Sequence, residues 1–101
     1  MNDWFATYGW RTQDLESVVT AVVRELGIAL EARYSLYRGD YYMWNGPGGA
    51  EILLQRNRLE DDGELTEPDH GRHGVLVYAA RLDRPLVRAL AAVEGAELLE
   101  S

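Results

Sequence analysis

The sequence predicts an α+β fold in which two helices pack on one face of an antiparallel sheet of about four to six strands. Three observations support this prediction: an amphipathic repeat near the N-terminus, a middle region rich in β-branched and aromatic residues, and a second helical repeat near the C-terminus. The expected order of elements is β-α-β-β-β-β-α-β. Because the chain has 101 residues and no long Pro/Gly/Ser-rich stretch, residues 1–101 are expected to form a single domain.

The first helix is predicted after Thr12, where apolar residues recur at the spacing of one helical face. These residues are Leu15, Val18, Val19, Val22, Val23 and Leu26. Thr12 is the predicted N-cap, and Gly27 is expected to end the helix in the left-handed conformation. Because valine is stiff at χ1 and lowers helix propensity, we expect this helix to depend on packing against a sheet.

The second helix is predicted to begin after Asp83, an N-cap residue that is followed by Pro85 in the first turn. Its apolar face comprises Leu86, Leu90 and Val93, and Gly95 lies beyond its end. Both helices therefore have the pattern of ordinary core-covering elements.

Strands are predicted between the two helices, at residues 28–38, 41–45, 50–58 and 73–81. Residues 4–9 and 96–99 are expected to add edge strands. Gly39 and Asp40 are interpreted as a two-residue hairpin turn, since glycine at the first turn position suits this type of connection.

That turn would set the register of the hairpin, with Arg38 opposite Tyr41 and Tyr37 opposite Tyr42. One face would then hold the core residues Leu30, Ala32, Tyr34, Leu36 and Met43. The other face would hold Glu31, Arg33, Ser35, Tyr37, Tyr42 and Trp44.

The second of these faces is the favoured site for a protein partner, because Tyr, Trp and Arg are over-represented in binding hot spots. The predicted contact residues on it are Arg33, Tyr37, Tyr42 and Trp44. The alternative is that helices, or the second subunit of a homodimer, cover this face as well.

An acidic segment at residues 59–72 is predicted to be a solvated loop, since it contains many carboxylates and almost no apolar side chain. The carboxylates expected to contact a partner are Glu60, Asp61, Asp62 and Glu64. Clustered carboxylates raise the rate of association with basic proteins. The spacing does not match that of an EF-hand, so the loop is not expected to bind calcium.

The composition excludes several classes of function. Seventeen acidic residues against ten basic ones give a formal net charge of -7, which disfavours nucleic acid and favours a basic protein partner. The absence of cysteine excludes disulfides, thiolate nucleophiles and cysteine-ligated zinc. No cofactor and no metal are predicted. No signal peptide or membrane-spanning stretch is recognisable, so we expect a cytoplasmic protein that does not bind membranes.

Two short motifs have ligand-binding interpretations that the sequence disfavours. The glycine-rich residues 45–49 could cradle phosphate, but a strand with a carboxylate follows them, so a structural turn is predicted. Asp69, His70 and His73 could bind a divalent metal or perform acid–base chemistry. No further histidine or cysteine exists to complete a tetrahedral site.

Three functional hypotheses follow, in decreasing order of support. The first is a non-catalytic protein-binding module, such as an inhibitor or immunity-type protein that blocks a basic enzyme; the similarity to such proteins is in size and charge only. The second is a small-molecule-binding or regulatory domain with a pocket between the sheet and the helices or between two subunits, lined by Tyr34, Tyr37, Tyr41, Tyr42, Trp44 and Tyr78. The third is an enzyme centred on Asp69, His70 and His73. No serine lies in a nucleophile-elbow motif, and we expect no enzymatic activity.

Overall fold

The computed structural model describes residues 4–36, 38–58 and 65–101 of the protein. The strands in these residues are β1 (Phe5–Trp10), β2 (Glu31–Ser35), β3 (Gly39–Asn45), β4 (Glu51–Arg56), β5 (Val75–Ala80) and β6 (Glu97–Glu100). The helices are α1 (Leu15–Leu26) and α2 (Arg84–Ala92), and single 3-10 turns lie at Pro47–Gly49 and Pro68–His70.

All of these strands belong to one antiparallel sheet in the order β2-β3-β4-β5-β1-β6. The predicted α+β class and the order of elements along the chain are confirmed. One placement was wrong, because β1 was expected at an edge and instead lies between β5 and β6. The edges of the sheet are β2 and β6.

The helix N-caps follow from local hydrogen bonding. Oδ1 of Asp14 accepts a hydrogen bond from the Ser17 backbone N–H over 3.2 Å and caps α1. Thr12, the predicted cap, instead accepts from the N–H of Asp14 over 3.1 Å. Asp83 caps α2 as predicted, by accepting from the N–H of Leu86. Within the described ranges, neither helix is long and apolar enough to cross a membrane.

The hydrophobic core fills the space between the helices and one face of the sheet. The sheet contributes Tyr8, Trp10, Ile52, Leu54, Val75 and Val77, and the helices contribute Leu15, Val18, Val22 and Leu90. Nε1 of Trp10 donates to the Glu94 carbonyl over 3.0 Å, which satisfies the only polar atom of the ring. The valines of α1 therefore pack on a sheet, as their low helix propensity requires.

The β2–β3 hairpin differs from the prediction in its register. Ser35 pairs with Gly39 and Arg33 pairs with Tyr41, so the connection spans residues 36–38 instead of Gly39 and Asp40. Gly39 has a φ of 72°, as expected for the residue that follows a three-residue hairpin loop. The observed register differs from the predicted one by an odd number of positions. Each residue of β3 therefore lies on the opposite face, relative to β2, from the face predicted for it.

The two predicted faces of the hairpin are consequently wrong. Tyr42 and Trp44 pack against the core on the helix side, whereas Arg33 shares the opposite face with Tyr41. Tyr34 was expected in the core, yet it is 59% exposed. Leu36, also expected in the core, is exposed as well.

Candidate partner-binding site

The sheet face opposite the helices, here called the distal face, is formed by alternate residues of the same strands. Its centre comprises Thr7, Leu53, Gln55, Leu76 and Tyr78. All of these except Tyr78 are buried, although both helices lie on the other side of the sheet. Two residues of the loop between β4 and β5 reach this face, because Glu67 contacts Tyr78 and His73 lies against Gly9.

Asn57 anchors this loop at the point where it leaves β4. The residue is 2% exposed, and the two hydrogens of its Nδ2 are shared among the carbonyls of Glu67, His70 and His73, which lie at 3.0–3.2 Å. Its Oδ1 accepts from the N–H of Glu67 over 2.7 Å, and its own N–H donates to the Gly74 carbonyl over 2.9 Å. One amide side chain thus supplies the hydrogen bonds that a neighbouring strand would otherwise give to the loop backbone.

Two further side-chain pairs lie on the distal face. The hydroxyl of Tyr78 donates to Oε1 of Glu67 over 2.9 Å, and burial together with this bond raises the pKa of Tyr78 far above its ordinary value. On the hairpin side, Nη1 of Arg38 donates to Oε1 of Gln55 over 2.6 Å. These bonds pair the polar groups that the folded loop and hairpin bring onto a buried surface.

A groove of about 410 Å³ opens at one end of the distal face. Its floor includes Ala80, which is paired with Phe5 on one side and with Glu51 on the other. Because alanine is small, the larger side chains of Phe5 and Glu51 form walls above it. Glu100, at the end of β6, lines the groove as well.

The groove combines an exposed aromatic ring with carboxylates. Phe5 is 52% exposed, and the Arg81 guanidinium lies over its ring at 5.1 Å from the centroid. Within residues 4–36, 38–58 and 65–101, neither Glu51 nor Glu100 is part of an ion pair. A partner's cation could therefore bind these carboxylates without displacing a cation of this chain.

The histidines form a separate cluster at the other end of the sheet. Glu97 accepts hydrogen bonds from Nε2 of His73 and from Nε of Arg11, and these bonds lower the pKa of Glu97. The His73 side chain is only 10% exposed, and its Nδ1 is buried and has no hydrogen-bond partner among the described residues. Since one ring nitrogen is engaged and the other is enclosed, neither is open to a substrate.

The predicted triad of Asp69, His70 and His73 is only partly assembled. The two imidazole rings lie edge to face with their centroids 6.4 Å apart. His73 is paired with Glu97 instead of with Asp69. In the part of the chain that the structure describes, no three His, Asp or Glu side chains gather as a metal site would require.

The glycine-rich residues 45–49 form a structural turn, as predicted. The N–H of Gly46 donates to the Ala50 carbonyl over 2.8 Å, which closes the turn between β3 and β4. The Trp44 ring lies against the backbone of Gly46, where a Cβ atom would be 2.2 Å from its Cη2. The ring therefore occupies the space in which a side chain of residue 46 would lie.

The structure places the predicted partner-binding residues in different locations. Arg33 is exposed on the edge strand β2 and forms an ion pair with Glu31, with 3.3 Å between Nε and Oε1. Tyr42 lies on the helix side, where its hydroxyl donates to Oε1 of Glu16 over 2.5 Å. Trp44 is half-buried on that side too. The remaining predicted contacts, Tyr37, Glu60, Asp61, Asp62 and Glu64, lie outside the described residues.

The aromatic pocket of the second hypothesis is divided by the sheet. Tyr42 and Trp44 lie on the helix side, whereas Tyr41 and Tyr78 lie on the distal face. Side chains on opposite faces of one sheet cannot line the same pocket. The described members of this set therefore do not form the predicted pocket.

Sequence reasoning missed the residues that build the observed groove and anchor the loop. Phe5, Glu51 and Glu100 are far apart in the chain and carry no shared motif. Asn57 has a weak signal, because asparagine is depleted in strands and the predicted strand at 50–58 includes it. An amide at the end of a strand and before a long loop is a pattern that indicates a side-chain clamp.

Comparison with protein-family models, curated proteins and solved structures finds no match to this chain.

Proposed function

We propose that this protein is a non-catalytic, cytoplasmic binding module that holds one basic protein partner. The observation that supports the proposal is the groove in which the exposed ring of Phe5 lies beside the carboxylates of Glu51 and Glu100, which form no ion pair with the described residues. The formal net charge of -7 also supports a basic partner, because a negative surface attracts basic proteins.

The groove suits an arginine or lysine side chain of the partner. The methylene stem of such a side chain can pack on the apolar ring and floor while its cationic end meets a carboxylate. Arg81 already adopts one such cation–π contact with Phe5 within this chain. A basic side chain from outside would form a charge pair with Glu51 or Glu100.

The acidic loop is proposed as a second contact region. It carries Glu60, Asp61, Asp62 and Glu64, and clustered carboxylates raise the rate of association with a basic protein. The inhibitor or immunity-type role is one version of this proposal.

The test is affinity capture from the native cell, followed by titration of the purified partner by calorimetry at low salt. The groove variant carries Glu51→Lys and Glu100→Lys, and its matched control carries Glu25→Lys and Glu94→Lys, at exposed positions with no ion pair in the described chain. We expect affinity to fall about tenfold or more in the groove variant only.

Equal loss in both double variants would mean that overall charge, and not the groove, attracts the partner. Failure to recover any stoichiometric basic partner would overturn the binding-module proposal. Reversing the charges of Glu60, Asp61, Asp62 and Glu64 in a third variant tests the loop separately from the groove.

A further inference from the structure

The two edges of the sheet differ in how well they are protected against pairing with another strand. Edge strands are usually blunted by proline, by bulges or by charged side chains. The β6 edge has such protection, because its pairing with β1 contains a register shift and its end residues, Glu97 and Glu100, have the same charge. The β2 edge has an unbroken register with β3 and contains no proline.

The side chains of β2 remain uncovered along most of its length. Four of its five residues are exposed, including Ala32 and Tyr34 on the helix side. In the part of the chain that the structure describes, no strand lies on its outer side. No described residue pairs with the backbone groups along that side, so they can pair with a further strand.

We infer that β2 is the interface of a homodimer, in which the strand pairs antiparallel with its own copy about a two-fold axis at Ala32. A two-fold axis perpendicular to the sheet keeps the same face up in both subunits. Residues that oppose each other across the interface must then lie on the same face of the sheet. The two-fold axis can therefore be centred on a residue of β2, but not midway between two residues.

Charge selects one of these registers. Centring the pair on Ala32 places Glu31 opposite Arg33 of the second copy, and the reverse pair forms by symmetry. A centre on Glu31 or on Arg33 would instead place identical charges opposite each other. The intrachain contact of 3.3 Å between Arg33 and Glu31 would then extend into an alternating four-charge network.

The other face of β2 is complementary in the same register. Leu30 would lie opposite Tyr34 of the second copy, and Ala32 would lie opposite Ala32. Tyr34 would thus lose much of its exposed apolar surface, which stabilises association. The dimer would have one continuous sheet with the helices of both subunits on the same side, and this inference is independent of the proposed function.

Sedimentation equilibrium of the full chain tests the interface over roughly a hundredfold range of micromolar concentrations. We expect a mass of twice 11.4 kDa for the wild type. Arg33→Glu should weaken the dimer about tenfold or more, because it creates two like-charge pairs. The double variant Glu31→Arg with Arg33→Glu should restore dimerisation, since the opposite charges are exchanged and not removed.

Arg88→Glu is the matched control, because it makes the same charge change at an exposed position of α2 and should leave the dimer intact. Melting followed by circular dichroism should show that all variants are folded to the same extent as the wild type. A wild type that stays monomeric over the whole range would overturn the inference. So would a dimer that Arg33→Glu leaves unchanged, or one that the charge exchange does not restore.

Discussion

Asn57 and Glu67, ten residues apart, are joined by a reciprocal pair of hydrogen bonds. Glu67 N–H donates to Oδ1 of Asn57 over 2.7 Å, and Nδ2 of Asn57 donates to the Glu67 carbonyl over 3.2 Å. This pairing has the pattern of two opposed residues in an antiparallel ladder, with a side-chain amide in place of one backbone. It explains how residues 67–73 can lie against the sheet with several of their backbone groups paired to one side chain.

Replacing Asn57 with alanine is therefore expected to reduce the free energy of unfolding by about 2–4 kcal/mol, because several buried backbone groups lose their only side-chain partner. Urea unfolding followed by circular dichroism measures the loss. Asn45→Ala is the matched control, since Asn45 is exposed at the end of β3 and should change stability by less than about 0.5 kcal/mol. Similar losses in both variants would contradict the role given to Asn57.

Trp44→Ala should destabilise the fold by about 2–3 kcal/mol, because its half-buried ring packs against the core. A loss of partner affinity without a loss of stability was the expectation for an exposed Trp44 on a recognition surface. Thermal melting therefore distinguishes the helix-side location from the predicted exposed one.

Trp44 and Gly46 should also be energetically coupled. Gly46→Ala is expected to cost about 1–3 kcal/mol in the wild type, since the new Cβ would meet the Trp44 ring. The backbone of Gly46, at φ −111° and ψ −172°, is one that alanine adopts freely. In the Trp44→Ala background the same substitution should cost little, and a double-mutant cycle by urea unfolding measures the difference. Additive effects would contradict the close approach.

Stability should fall at high pH because burial and the bond to Glu67 raise the pKa of Tyr78. The unfolded chain releases its phenolic proton near pH 10 while the folded chain retains it, so unfolding becomes more favourable as the pH rises above about 10. Tyr78→Phe should make this fall shallower between pH 9 and 11, as followed by urea unfolding. Tyr41→Phe is the control, because Tyr41 lies on the same face of the sheet and its hydroxyl has no hydrogen bond to a described carboxylate; an equal effect of both variants would contradict the assignment.

Stability should also fall in acid, through Glu97. Its pKa is lowered first by the hydrogen bond with His73 and then by Arg11, so its contribution is present above the unfolded pKa of about 4.5 and is lost as the pH drops through the folded value. Between pH 6 and 3, the melting temperature of Glu97→Gln should decrease less than that of the wild type. Glu94→Gln, at an exposed position three residues earlier, should retain the wild-type decrease.

The helices and most strands could be predicted because their signals are local. The spacing of Leu15, Val18 and Val22 specifies the buried face of α1, and Asp83 with Pro85 marks the start of α2. Thr12 was the predicted N-cap of α1, whereas Asp14 is the observed one. Both side chains can accept a hydrogen bond, and only the path of the backbone distinguishes them.

The hairpin was harder to predict because Gly39 is compatible with two connections. Glycine can begin a two-residue turn, or it can follow a three-residue loop in the left-handed conformation. The packing of Trp44 beside Ile52 and the bond from Tyr42 to Glu16 both require the second connection. These contacts join β3 to β4 and α1. The sequence of the hairpin alone therefore does not determine its register.

The sequence by itself determined which segments become helices and strands, the acidic character of the surface and the absence of thiol chemistry, because each depends on composition or on neighbours a few positions apart. Tertiary structure alone decided the interior place of β1, the register of β2 with β3 and the meeting of Phe5, Glu51 and Glu100 at one groove. Strand pairing and burial join residues that are distant in the chain, and their free energies depend on the whole packed sheet.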